Sequence, residues 1–193
     1  INLSFPWPGS MRQLFLQHVG QTSEAPLALN IVKAEGSRLW DAGGKEYIDL
    51  IGGISVCNIG HRHPAVVNAV KKQADEYLHI MVYGELVENP QVKYASLLAK
   101  YLPPNLHSIF FTASGSEATE GAMKLAKRYT GRAQIVSFKN SYHGSTQGAL
   151  SVMGSEYWQQ AFRPLLPGIV QLRYNDFGDL EHITTETACV IAE

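Results

Sequence analysis

The run Phe110-Phe111-Thr112-Ala113-Ser114-Gly115-Ser116-Glu117-Ala118 passes from strand formers through small residues into helix formers. Small residues let a backbone approach an anion closely, and the first-turn N–H groups of a helix, with the dipole behind them, bind phosphate. The run therefore reads either as a phosphate seat at Ser114, Gly115 and Ser116 or as an ordinary strand-to-helix turn with a serine cap. Rival chemistries fail on spacing. The chain has neither Gly-x-x-x-x-Gly-Lys nor Gly-x-Gly-x-x-Gly, and Ser114 and Ser145 lack the flanking glycines of a nucleophile elbow.

A second group, Ser141-Tyr142-His143-Gly144-Ser145-Thr146, follows a strand-forming run that ends at Phe138. Ligands of open α/β folds bind at the C-terminal ends of the strands, and an aromatic there can stack on a flat heterocycle, so Tyr142 is the candidate. The other reading of an aromatic-His pair in a loop is packing. Gly60-His61-Arg62-His63-Pro64 carries histidines but reads as a tight loop before a helix, and no second pair joins Glu76 and His79 to complete a ligand set. No metal is expected.

The elements that must position these groups follow from periodicity. Met11, Leu14, Phe15 and Val19 fall at helical spacing, and Ile31–Ile51 reads as a hairpin or meander about Asp41-Ala42-Gly43-Gly44-Lys45. Pro64 opens one helix; Asn89 caps a second with Pro90 in its first turn. The chain then alternates. Strands are expected at His107–Thr112, Gln134–Phe138, Ile169–Leu172 and Ala188–Ala192, the last apolar throughout like a central parallel strand. Helices are expected at Glu117–Tyr129, near Thr146–Val152 and at Leu180–Ile183. Such alternation predicts an α/β fold with a mainly parallel sheet.

Composition excludes several partners. The 193 residues carry a net charge of −1 with no basic run, which disfavours nucleic acid. Cys57 and Cys189 are far apart and outside any Cys-x-x-Cys, which fits a reducing compartment, and no stretch has the length of a membrane span. A cytoplasmic protein is expected. Gly9-Ser10-Met11 reads as a tag junction before an initiator methionine, so residues 1–10 are taken as a tag or an N-terminal arm.

In order and spacing, Leu39-Trp40-Asp41, Gly44-Lys45-Glu46-Tyr47-Ile48-Asp49, Gly60-His61-Arg62-His63-Pro64, Ser114-Gly115-Ser116-Glu117-Ala118, Lys124-Leu125-Ala126, Thr130-Gly131-Arg132 and Tyr142-His143-Gly144 resemble the class III aminotransferases over about residues 25–193. That family includes enzymes acting on acetylornithine, ornithine, 4-aminobutyrate and diaminopelargonate. The resemblance implies a fold type I, pyridoxal 5'-phosphate (PLP) dependent transferase. Residues 11–59 would belong to the N-terminal segment of its small domain and residues 60–193 to its large, cofactor-binding domain.

By the same resemblance, Ser114, Gly115 and Ser116 match the positions that hold the cofactor's phosphate. Tyr142 matches the aromatic stacked on its ring, with His143 beside it. Glu193 matches a glutamate ending a core strand near cofactor and substrate. Ser145 stands where members acting on acetylornithine, ornithine or 4-aminobutyrate commonly carry an arginine that reads a carboxylate. With the apolar run containing Ile54 and Val56 as a pocket wall, this points to an amine or ω-amino acid donor with a 2-oxo acid acceptor. A homodimer is implied. The Schiff-base lysine and the aspartate facing the pyridine nitrogen match no residue here and are expected beyond Glu193, so this chain alone is expected to be inactive. A racemase or decarboxylase of the same fold, and a non-catalytic binding module, are the competing readings.

Overall fold

The computed structural model describes residues 9–81 and 84–193, in two compact units, Ile1–Val87 and Glu88–Glu193. Most of the expected arm, residues 1–8, lies outside the described residues; within them, Ser10 caps the first helix.

In the first unit, helix α1 (Met11–His18) starts with a reciprocal cap, in which Ser10 Oγ accepts from Gln13 N–H and Gln13 Oε1 accepts from Ser10 N–H. The hairpin-or-meander run forms a three-stranded antiparallel meander, β1 (Ile31–Glu35), β2 (Arg38–Asp41) and β3 (Glu46–Ile48), because Gly36 at φ 56° permits an additional turn. Asp41 organises the second turn: its carboxylate accepts from the N–H groups of Gly43 and Lys45 and from the Tyr47 hydroxyl. Asp49 does likewise for the next segment, accepting from Ile51 and Gly52 N–H and pairing with His61 Nε2 at 2.6 Å.

The segment that Asp49 holds is a single turn, α2 (Gly52–Ser55), in which all four residues lie at positive φ: 55°, 64°, 60° and 63°. Glycine adopts this conformation freely; Ile54, branched at Cβ, does so at a cost of roughly 1–2 kcal/mol. Helix α3 (Pro64–Glu76) follows and buries no residue completely.

In the second unit, helix α4 (Asn89–Ala99) begins one residue earlier than expected, so Glu88, not Asn89, is its N-cap. Helix α5 (Gly115–Thr130) is capped by Ser114 and closed by Gly131 in the left-handed conformation at φ 71°. The sheet is parallel, with order β5 (Ile169–Leu172), β4 (Gln134–Phe138), β6 (Thr187–Val190). Helix α6 (Gln147–Val152), helix α7 (Glu156–Gln159) and 3-10 turns at Gln160–Phe162 and Phe177–His182 complete the unit. Met123 of α5, Ile135 of β4 and Val152 of α6 form the dry centre, with Ile169, Cys189 and Ile191 packed against them.

Two expected strands lack some or all of their pairing among the described residues. Residues 107–112 join no sheet among the described residues, and Phe110 is 85% exposed. A strand is defined by the partner that takes its N–H and C=O groups, which strand-forming residues alone do not supply. Among the described residues the middle strand is β4, whose Ile135, Val136 and Ser137 are fully buried, and β6 pairs on one side, with Val190 44% exposed.

Candidate functional site

Because β5 and β6 flank β4 on opposite sides, the chain reverses direction across the sheet at the C-terminal end of β4, the place where open α/β sheets bind ligands. Three segments leave the sheet there: the loop carrying Tyr142 after β4, Tyr174 after β5 and Glu193 after β6. They touch. Glu193 Oε2 accepts from the Tyr142 N–H at 2.5 Å, and the Tyr174 hydroxyl donates to Glu193 C=O at 2.9 Å. Tyr174 also stacks on Phe138, with ring centroids 4.2 Å apart. No sequence motif singled out Tyr174; its only signal was its place just after a strand.

The other wall is the start of α5. Ser114 Oγ accepts from Glu117 N–H at 3.2 Å, and Glu117 reaches back to Ala113 N–H at 2.8 Å. The cap reading of this turn therefore holds for Ser114, and the phosphate reading survives beside it. Among the described residues, the N–H groups of Gly115 and Ser116 donate to nothing, and a Cβ built on Gly115 would meet nothing within 4 Å. Ser116 Oγ accepts from Ser145 N–H at 3.2 Å, which leaves its own proton available for an acceptor.

The loop and the helix lie in direct contact. Gly144, at φ 126°, is so close that a Cβ there would fall 3.0 Å from Ser116 Cα. Thr119 Oγ1 donates to His143 C=O at 3.0 Å, and the Tyr142 and Ser145 hydroxyls are 3.1 Å apart. The Tyr142 side of the loop is open, with that residue 58% exposed. His143 is half-buried, and its Nε2 has no partner among the described residues. Burial pushes its pKa down, with the charge of Glu193 pulling the other way, so the ring favours its neutral form.

The sequence-derived residues Ser114, Gly115, Ser116, Tyr142, His143, Ser145 and Glu193 thus come together at one place. Ile54 and Val56 belong to the other unit, in and beside the left-handed turn, and are 87% and 77% exposed. Sequence reasoning missed Glu120. Its Oε1 accepts from Thr146 Oγ1 at 2.7 Å and from the N–H groups of Gly148 and Ala149 at 2.9 and 3.2 Å.

An exposed aromatic beside free helix-end N–H groups and a serine hydroxyl suits a ligand with an anionic end and a flat ring. Comparison with known proteins agrees. Residues 19–193 match the family model described as aminotransferase class-III. An acetylornithine aminotransferase of Methanopyrus kandleri is 41% identical over 179 residues, which cover 91% of this chain and 44% of that protein. The chain thus spans less than half the length of such curated relatives. Among solved structures, an (S)-enantioselective omega-transaminase from Thermomicrobium roseum superposes with TM-score 0.76 at 30% identity, covering 83% of this chain and 38% of that one. A taurine:2-oxoglutarate aminotransferase from Bifidobacterium kashiwanohense, solved with PLP and glutamate, gives TM-score 0.82 at 27% identity, covering 94% and 47%.

Proposed function

This chain belongs to the class-III aminotransferase family, and from that premise we propose that the intact protein is a PLP-dependent aminotransferase carrying an amino group from an amine or ω-amino acid to a 2-oxo acid. The observation that carries the proposal is the pair of free N–H groups at Gly115 and Ser116 beside the open Tyr142, all at the ligand-binding edge of the sheet. PLP, when bound, supplies an electron sink for the bond broken at the donor carbon.

The residues of this chain hold and orient it. Gly115 and Ser116 N–H and the Ser116 hydroxyl hold the phosphate, and the Tyr142 ring covers one face of the heterocycle. His143, the next residue, would support Tyr142. Glu193 fixes the backbone of Tyr142 by taking its N–H. The Schiff-base lysine and the acid facing the pyridine nitrogen are assigned to no residue of this chain. The small-domain role of residues 11–59, the large-domain role of 60–193, the cytoplasmic location and the homodimer belong to the same proposal. No described helix is long and apolar enough to cross a membrane.

Ser145 is the reason for preferring a donor whose carboxylate, if any, is read elsewhere. A guanidinium would offer a carboxylate two charge-assisted bonds, whereas a hydroxyl offers one neutral bond, and this one already has the Tyr142 hydroxyl within reach.

The test is PLP titration of the intact protein and its Gly115→Val variant, followed by visible absorbance. The wild type should retain the cofactor and, given an amine donor, transfer that donor's amino group to a 2-oxo acid. A Cβ at Gly115 would meet nothing within 4 Å among the described residues, so the variant should melt nearly like the wild type when ligand-free, yet lose the cofactor. Full cofactor absorbance in the variant would mean that the phosphate sits elsewhere.

A further inference from the structure

Ser116, Thr119 and Glu120 occupy positions i, i+3 and i+4 of α5, one face of the helix, and each holds the loop that carries Tyr142. Ser116 takes the N–H of Ser145, Thr119 donates to the C=O of His143, and Glu120 takes three donors at the loop's far end. The last set is unusual for a helix start. Thr146 is the N-cap of α6, yet its hydroxyl makes no cap bond. It donates to Glu120 instead, and the Glu120 carboxylate, from another helix, takes the N–H groups that a local cap would have taken. The fit is close, since a Cβ on Gly148 would fall 2.7 Å from the Glu120 Cδ.

The same rigid helix therefore ends in the phosphate seat and carries on its side the anchors of the stacking aromatic. We infer that Glu120 is a positioning residue that fixes the loop from Tyr142 to Ala149 on α5 and so sets the height of the Tyr142 ring above the phosphate seat. This rests on the PLP reading above. Glu120 touches neither cofactor nor reacting atoms in this role; it acts through Thr146, Gly148 and Ala149. Without it the loop would have to be ordered when PLP binds, and that ordering would come out of the cofactor's affinity.

The experiment uses the intact protein with Glu120→Ala and Glu120→Gln. It reads PLP affinity, the visible circular dichroism that the bound ring acquires from its asymmetric surroundings, and, without ligand, hydrogen exchange of the peptide spanning residues 141–150. Glu120→Ala should speed exchange there, flatten the dichroism and weaken PLP by about tenfold or more, equivalent to about 1.4 kcal/mol per decade. Glu120→Gln keeps a carbonyl oxygen where Oε1 stands and should behave nearly as wild type. If Glu120→Ala leaves exchange, dichroism and affinity unchanged, or Glu120→Gln is equally impaired, the inference is overturned. Should Glu120→Ala not accumulate, Thr146→Val removes one of the three bonds and must shift exchange in the same direction, or the inference falls. A wild type that binds no PLP would sink the functional reading alone, because the exchange measurement tests the anchoring without cofactor.

Discussion

Replacing Gly144 by alanine tests the packing of the loop on α5 at its tightest point. The new Cβ would lie 2.2 Å from Ser116 Oγ, 2.9 Å from Ser116 Cβ and 3.0 Å from Ser116 Cα. Rotating the serine would relieve the first contact while breaking its bond to Ser145 N–H, and no rotation moves the other two atoms. Three costs add: roughly 1–3 kcal/mol for a side chain at φ 126°, roughly 1–3 kcal/mol for overpacking, and about 1 kcal/mol for the hydrogen bond. The low end of the sum, about 3 kcal/mol, corresponds to roughly 150-fold in an equilibrium constant. The loss should divide between PLP affinity, if the loop swings off the helix, and unfolding stability, if it cannot. PLP titration and chemical denaturation of the ligand-free protein measure the two parts. Gly121→Ala is the internal control: it sits mid-helix on α5 with nothing within 4 Å of its Cβ, and should stabilise by about 0.5–1 kcal/mol. If Gly144→Ala changes the two quantities together by less than about 1 kcal/mol, the close packing of Gly144 on Ser116 is wrong.

Two further outcomes are expected. Ser145→Ala should affect carboxylate-bearing donors and simple amines alike; a roughly hundredfold selective loss of kcat/KM for the former would show that Ser145 reads the carboxylate and refute the donor proposal. The Arg173 guanidinium forks onto Asp179 at 2.7 and 3.0 Å, and the Arg173 N–H joins at 2.7 Å; together they hold that carboxyl well below the usual range. A carboxylate whose pKa is depressed by folding contributes stability that is complete above its unfolded value, near 4, and lost as pH falls toward the folded one. The melting-temperature gap between wild type and Asp179→Asn should therefore be constant near neutrality and narrow below about pH 4. A gap that stays constant to pH 3 would deny the pair this role.

Much of the architecture follows from signals local in the chain. The small-residue turn before α5, Ser114 as its cap and Gly131 as its stop are written within a few residues of where they act, since capping and left-handed closure are short-range interactions. The strands Gln134–Phe138 and Ile169–Leu172 appear where their residues predict, because the pattern of buried side chains is itself local. What the tertiary structure alone decided are the relations between segments. Among the described residues, residues 107–112 have strand-forming side chains but no ladder partner, and the apolar run at β6 is paired on one side, because pairing depends on which backbone lies alongside. Glu120 reads as one more polar residue on a helix; its partners lie 26 to 29 residues further on, beyond any capping rule that looks three residues ahead. Glu193 meets both Tyr142 and Tyr174 only because three parallel strands end at one edge. Chemistry-bearing residue types are legible one at a time, whereas the side chains that hold them at working distance are defined by contacts that the linear order does not contain.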